Sequence, residues 1–256
     1  MGTELKLEVG TLFAFLLVLT RISGAFIFVP LPGINAGPQL ARVALSLSIT
    51  LALFPSWPAV NANGVTLINL IGWVIAEAAL GIAVGVTVAF ISEIFQMGAQ
   101  IVGLQAGYSF ASTIDPTSGA DSSVLITVAQ TASGLLFFAL GLDHQILLAF
   151  ARSLSTHPPG QFALSAGLVQ QVIQAGAAVF STGLRLVLPV VALLLMVDIS
   201  LALLARLNSQ LQLITLAFPI KMLVSLALLA WLVLVFPKLM TQSAGPILRV
   251  VQHLLT

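Results

Sequence analysis

Residues 67–90 read LINLIGWVIAEAALGIAVGVTVAF, and Glu77 is the one charged residue in the stretch. About 20 apolar residues are enough for a helix to cross the hydrocarbon core of a bilayer, so this run is long enough to span. Polar and apolar residues do not alternate along it as they would in a barrel strand, and the expectation is a helix. The rest of the chain has the same texture. Of 256 residues, nine are Lys or Arg and eight are Asp or Glu; 7% are charged and 59% apolar. Mean hydropathy is +1.13. A soluble domain carries roughly 25% charged residues, so a soluble enzyme and a disordered tail are excluded. A net charge of +1 offers no basic face for phosphate backbones, which excludes nucleic acid as a partner. Without cysteine there is no disulfide framework and no thiolate metal site. What remains is an all-α, multi-helix membrane protein, or a subunit buried in an apolar assembly.

Working outward from 67–90, further helices are predicted at Val9–Val29, Gln39–Phe54, Ile94–Phe110, Val124–Leu142, Leu168–Leu207 (bent) and Gln212–Phe236. Turn chemistry separates them. Pro30-Leu31-Pro32-Gly33 stops the first, and Pro55-Ser56-Trp57-Pro58 followed by Asn61-Ala62-Asn63-Gly64 closes the second. His157-Pro158-Pro159-Gly160 is the best internal boundary, and Leu207-Asn208-Ser209-Gln210 reads as the tip of a helical hairpin. Glu4, Lys6 and Glu8 do not make the basic n-region of a cleavable signal, so the first helix is expected to stay in the mature protein.

Polar residues inside this apolar background are the candidates for function. Glu93, Gln96, Gln100, Gly103 and Gly107 follow one another in steps of three and four, which places them on one helical face. For Glu93, Gln96 and Gln100 the expectation is contact with water or with polar groups of a partner, because lipid tails offer none. Gly103 and Gly107 form a small-x-x-x-small pattern and read either as a packing seam or as part of a pore-facing surface. Glu77, Gly81, Gly85 and Ala89 repeat the theme at four-residue steps. A carboxyl at Glu77, near the middle of an apolar helix, is either functional or a protonated or paired group holding two helices in register.

The segment Ser109–Ser123, SFASTIDPTSGADSS, is rich in Ser, Thr and Asp and carries Pro116 and Gly119. It reads as a surface loop, or as a constriction or lid, since irregular backbone at membrane depth must line a cavity. Arg185, Asp198, Arg206 and Lys221 lie within apolar sequence near the other end. Asp198 and Arg206 are two turns apart, about 12 Å along an axis, so each needs a partner elsewhere. Catalysis has little support. Gly107-Tyr108-Ser109-Phe110-Ala111 misses the last glycine of a nucleophile elbow, and Asp143, His144 and His157 lack metal-ligand spacing. No nucleotide-binding signature is present, and a non-enzymatic protein without cofactors is expected.

Gly103-Leu104-Gln105-Ala106-Gly107-Tyr108-Ser109-Phe110-Ala111, followed by Asp115-Pro116, resembles the signature of the FliR family, the R subunits of flagellar export gates with relatives in virulence type III secretion. Arg21-Ile22-Ser23-Gly24-Ala25, Leu188-Pro189, Leu203-Leu204-Ala205-Arg206 and Phe218-Pro219-Ile220-Lys221 match in order and spacing, so the likeness covers essentially the whole chain. Ser209-Gln210 stands where the family often has Pro-Gln, and Ala106 where a Met is common.

The resemblance implies a helical-hairpin subunit of a larger pore-like assembly in the bacterial inner membrane, at the flagellar basal body. Its partners would be P- and Q-type gate subunits, an FlhB-type switch protein and unfolded export substrates. Residues 1–167 would be P-subunit-like and 168–256 a Q-subunit-like hairpin. The plug loop would comprise Phe110, Ser112, Thr113, Ile114, Asp115, Pro116, Thr117, Ser118, Gly119 and Asp121. Gly81, Gly85, Gly103 and Gly107 would pack helices; Glu77, Glu93, Gln96, Gln100 and Asp198 would be buried or pore-facing. Arg206, Asn208, Gln210, Gln212 and Lys221 would mark the hairpin tip at the cytoplasmic entrance. The competing class is a self-contained secondary transporter with Glu77, Asp198 and Arg206 near a midplane site, which would usually show two related halves; no internal repeat is found.

Overall fold

The structure is a computed structural model that describes residues 9–30, 39–58, 65–108, 123–160, 166–207 and 213–255. Among these residues there is no strand. The helices are α1 (Val9–Phe26), α2 (Gln39–Ala52), α3 (Leu67–Ala106), α4 (Ser123–Ala139), α5 (Leu142–Thr156), α6 (Ala166–Leu207) and α7 (Leu213–Leu255), with a short 3₁₀ turn at Phe54–Ser56. Val9–Phe26, Leu67–Ala106 and Val169–Arg206 are long and apolar enough to cross a membrane. A fourth span results if Val124–Ala139 and Leu142–Thr156 together form one.

Three element boundaries differ from the sequence expectation. The predicted segments 67–90 and 94–110 are one helix of 40 residues, about 60 Å at 1.5 Å per residue. Ile91-Ser92-Glu93 contains neither Gly nor Pro, so nothing in the backbone stops the helix there. Helix α5 was not predicted, because Asp143, His144, Gln145 and Arg152 dilute its apolar count. It is amphipathic, and Leu142, Ile146, Phe150 and Leu154 form its buried face. Gly141, at φ +66°, separates it from α4. Helix α7 runs through Pro237 and Pro246 to Leu255 instead of ending at Phe236. A proline removes one helical hydrogen bond, a loss that neighbouring packing can offset.

The chain forms two compact units. The first takes the described residues of Met1–Phe90, Phe137–Gly176 and Gly245–Thr256. Its core brings Leu17, Val18 and Ile22 of α1 together with Leu80, Val84 and Val88 of α3, all at 0–1% exposure. The second takes Ile91–Leu136 and Ala177–Ala244. Its core is built from Val102 and Ala106 of α3, Leu125 of α4 and Val187, Val190 and Leu194 of α6, with Val224 and Leu228 of α7 packed against them. The units are interleaved along the chain.

Candidate functional site

In the first unit, α1 and α3 approach so closely that glycine decides the contact. A Cβ on Gly81 would collide with the Arg21 carbonyl oxygen, and one on Gly85 would stand 2.8 Å from the Ala25 Cα. From the opposite side, a Cβ on Gly24 would lie 3.0 Å from the Ala78 carbonyl oxygen. Small residues on both helices thus let the two backbones touch, the arrangement that favours helix association in lipid.

That contact brings Arg21 alongside Glu77. Arg21 Nε lies 2.5 Å from Glu77 Oε2, and both side chains are at 0% exposure. Both terminal nitrogens of the guanidinium are also engaged. Nη1 donates to Ser153 Oγ at 3.1 Å and more weakly to the Ser153 carbonyl at 3.4 Å, and Nη2 donates to the His157 carbonyl at 3.1 Å. The second carboxylate oxygen, Glu77 Oε1, accepts from the Gly160 N–H at 3.0 Å. Arg21 therefore reaches carbonyls at the C-terminus of α5, where a cation is favoured by the orphan acceptors and the helix dipole.

The His157–Gly160 turn supplies backbone groups to both members of the pair. Gly160 has φ +89°, and a Cβ there would stand 3.0 Å from Trp73 Cδ2. Only glycine meets both conditions. A stretch that reads as a boundary in the sequence is thus part of a buried polar network.

In the second unit, Asp198 of α6 is the hub. Lys221 Nζ lies 2.8 Å from Asp198 Oδ1, and Gln105 Nε2 donates to Asp198 Oδ2 at 3.2 Å. One turn beyond Lys221 on α7, Ser225 Oγ is 3.4 Å from the Tyr108 hydroxyl. Gln105 and Tyr108 stand at the end of α3, which closes in a Schellman motif. Gly107 N–H donates to the Leu104 carbonyl at 3.2 Å and Tyr108 N–H to the Gly103 carbonyl at 3.0 Å, with Gly107 at φ +85°. Gly107 thus terminates the helix instead of continuing its face, and the positive φ is a direct reason for glycine at this position.

The predicted polar stripe divides. Glu93 and Gln100 are exposed, Gln96 is half-buried and Gly103 is buried. Gln96 donates to Ser92 Oγ at 3.0 Å and to Glu93 Oε1 at 3.3 Å, and Ser92 shares a 2.8 Å hydrogen bond with Ser133 of α4. Arg206 is exposed at the end of α6. Phe110, Ser112, Thr113, Ile114, Asp115, Pro116, Thr117, Ser118, Gly119 and Asp121 lie outside the described residues, as do Asn208, Gln210 and Gln212.

Sequence reasoning missed the roles of Arg21, Ser153, Gly160 and Gln105. For Arg21 a signal was present: it is the one charge in α1, and Glu77 is the one charge in 67–90. Lone opposite charges in two apolar helices need partners, and each can serve the other. Among the described residues no group of three or more His, Cys, Asp or Glu side chains is placed to hold a metal.

Comparison with known proteins agrees with a chain of this build. The Flagellar biosynthetic protein FliR of Escherichia coli (strain K12) is 30% identical over 214 residues, covering 83% of this chain and 81% of that protein. The proteins of the same name from Caulobacter vibrioides and Bacillus subtilis are 27% and 26% identical, each over 84% of this chain and 86% and 84% of their own. The family described as bacterial export proteins, family 1, matches residues 12–245, a range that holds both polar networks. The chain belongs to this family of bacterial export proteins.

Proposed function

We infer that this chain is a membrane subunit of the flagellar type III protein export gate. The observation that carries the reading is the family match over residues 12–245 together with the flagellar relatives. A self-contained secondary transporter is not favoured, because Glu77 and Asp198 are engaged by Arg21 and Lys221. Deleting the gene in its own host should abolish flagellar export and motility, and the intact gene should restore both. Normal filament secretion in the deletion strain overturns the reading.

Finer assignments belong to the same proposal. The chain works without catalysis or cofactor, in the bacterial inner membrane at the flagellar basal body, beside P- and Q-type subunits and an FlhB-type partner. Residues 1–167 act as the P-like part and 168–256 as the Q-like hairpin. The segment from Phe110 to Asp121 obstructs the channel until substrate or partner movement displaces it, and the hairpin tip near Arg206 faces the entrance. The Schellman turn at Gly107 supports this, since it ends α3 immediately before that segment. Deleting Thr113–Gly119 should make assembled gates conduct small solutes. Unchanged conductance with assembly intact overturns the plug.

A further inference from the structure

We propose that Gln105, Asp198 and Lys221 are positioning residues that tie the last turn of α3 to the register of the α6–α7 hairpin, so that sliding one arm of the hairpin releases that turn. One carboxylate makes both connections. Asp198 Oδ1 lies 2.8 Å from Lys221 Nζ on the other arm, and Asp198 Oδ2 accepts from Gln105 Nε2 of α3 at 3.2 Å. Asp198 is the one acid in α6, and Lys221 is the one charged residue between Leu213 and Pro237 of α7. A slide of α6 by one turn, about 5.4 Å, therefore leaves Lys221 opposite Leu194 or Ala202. The same slide carries Asp198 away from Gln105, so both bonds are lost together. Asp198 and Lys221 stand about 14 and 12 Å along their helices from Leu207 and Leu213, so a displacement near the hairpin tip reaches both members of the pair.

The end of α3 meets both arms through polar contacts. Val102 and Ala106 hold the helix in the apolar core of the unit. Gln105 then reaches α6 through Asp198, and the Tyr108 hydroxyl lies 3.4 Å from Ser225 Oγ, one turn beyond Lys221 on α7. The Gly107 and Tyr108 N–H groups close the Schellman turn between these two contacts.

Exposure makes this connection exchangeable, unlike the one in the first unit. The Asp198 side chain is 36% exposed, whereas both members of the Arg21–Glu77 pair are at 0%. Separating Arg21 from Glu77 strands a buried charge, which is costly. Asp198 can trade Lys221 for water or another donor at the surface, so its pair parts at much lower cost. The consequence for export rests on the reading of Phe110–Asp121 as the plug. That segment begins two residues after Tyr108, and a slide of the hairpin that frees the last turn of α3 frees the root of the plug.

The test is hydrogen–deuterium exchange of the full chain in its assembled complex, read on peptides covering 103–108, with solute conductance of the same preparations in liposomes. Asp198→Leu and Lys221→Met should each speed exchange at Gly107 and Tyr108 about tenfold and leave peptides around Arg21 unchanged. Exchanging the charges, Asp198→Lys with Lys221→Asp, should restore slow exchange, which a purely packing role would not do. Gln105→Leu leaves the ion pair whole and should speed exchange at the same two amides, which keeps the test open if the charge variants fold poorly. Unchanged exchange at 103–108 in the folded variants overturns the proposal. So does equal acceleration around Arg21, or an exchanged pair no slower than the single variants. In conductance, the single variants should leak as the Thr113–Gly119 deletion does. A leaking deletion beside tight single variants overturns the link to the plug, whereas a tight deletion overturns the plug reading itself.

Discussion

Arg21 of α1 and Glu77 of α3 form an ion pair at 2.5 Å with both side chains wholly shielded, and Ser153, His157 and Gly160 hydrogen-bond to them. A buried pair of this kind gains little over a well-packed apolar pair, because both charges have been desolvated. Its effect is on specificity: the bonds of Arg21 to Glu77, Ser153 and His157 form together in one register of α1, α3 and the end of α5.

Removing one member alone should be costly. Arg21→Met leaves a buried carboxylate without its cation, and the expected loss is about 3–5 kcal/mol. Arg21→Met combined with Glu77→Leu should recover most of it. Thermal unfolding in detergent of the two single variants and the double measures the coupling. Additive losses in the double variant contradict the network.

The α1–α3 crossing predicts opposite outcomes for two glycines on the same helix. Gly72 has nothing within 4 Å of an added Cβ, whereas Gly81 meets the Arg21 backbone. Gly72→Ala should stabilise by up to about 1 kcal/mol through helix propensity. Gly81→Ala should destabilise by more than that amount, since backbone cannot rotate away as a side chain does. Midpoint temperatures of the purified variants decide it, and equal shifts exclude the close approach.

Gly107 offers a test of backbone conformation. At φ +85°, Gly107→Ala should cost about 1–2 kcal/mol. Gly107→Asn should cost less, because Asn tolerates the left-handed region. Gly107→Leu should cost at least as much as Ala and lower the yield of assembled complex. Complex yield on a native gel reads all three, and an unaffected Leu variant argues against a demand for glycine at this helix end.

Asp198 should respond mildly to loss of charge. Its side chain is 36% exposed, so the pair with Lys221 is partly screened. Asp198→Asn keeps an acceptor for Gln105 and should lower stability by at most about 1 kcal/mol. Asp198→Leu also strands Gln105 and should cost more. Unfolding at low and high salt separates the two contributions: the Asn deficit shrinks with salt, and a deficit insensitive to salt removes the ionic part.

Local properties of the chain were legible from its residues. The scarcity of charge and the length of the apolar runs determine an all-helical membrane protein, because only helices satisfy their own backbone in lipid without a closed sheet. Gly81 and Gly85 were identifiable as candidate packing positions by spacing, and Glu77 was conspicuous as a lone acid. The composition could not reveal that α3 continues through Ile91-Ser92-Glu93, because an uninterrupted helix and two helices joined there have the same hydropathy. Helix α5 escaped because its apolar residues cover one face and its polar residues the other.

Tertiary structure alone decided which charges meet. Arg21 and Glu77 are 56 residues apart in the chain, and Gln105 and Asp198 are 93 apart. For Gln105 and Asp198 nothing in the local pattern ranks one distant partner above another. Pairing follows from how closely two backbones can approach, and that depends on small residues facing each other on separate helices. The turn at His157–Gly160 shows the same logic: proline and glycine announce a bend, but only folding aims its carbonyl at Arg21 and its amide at Glu77.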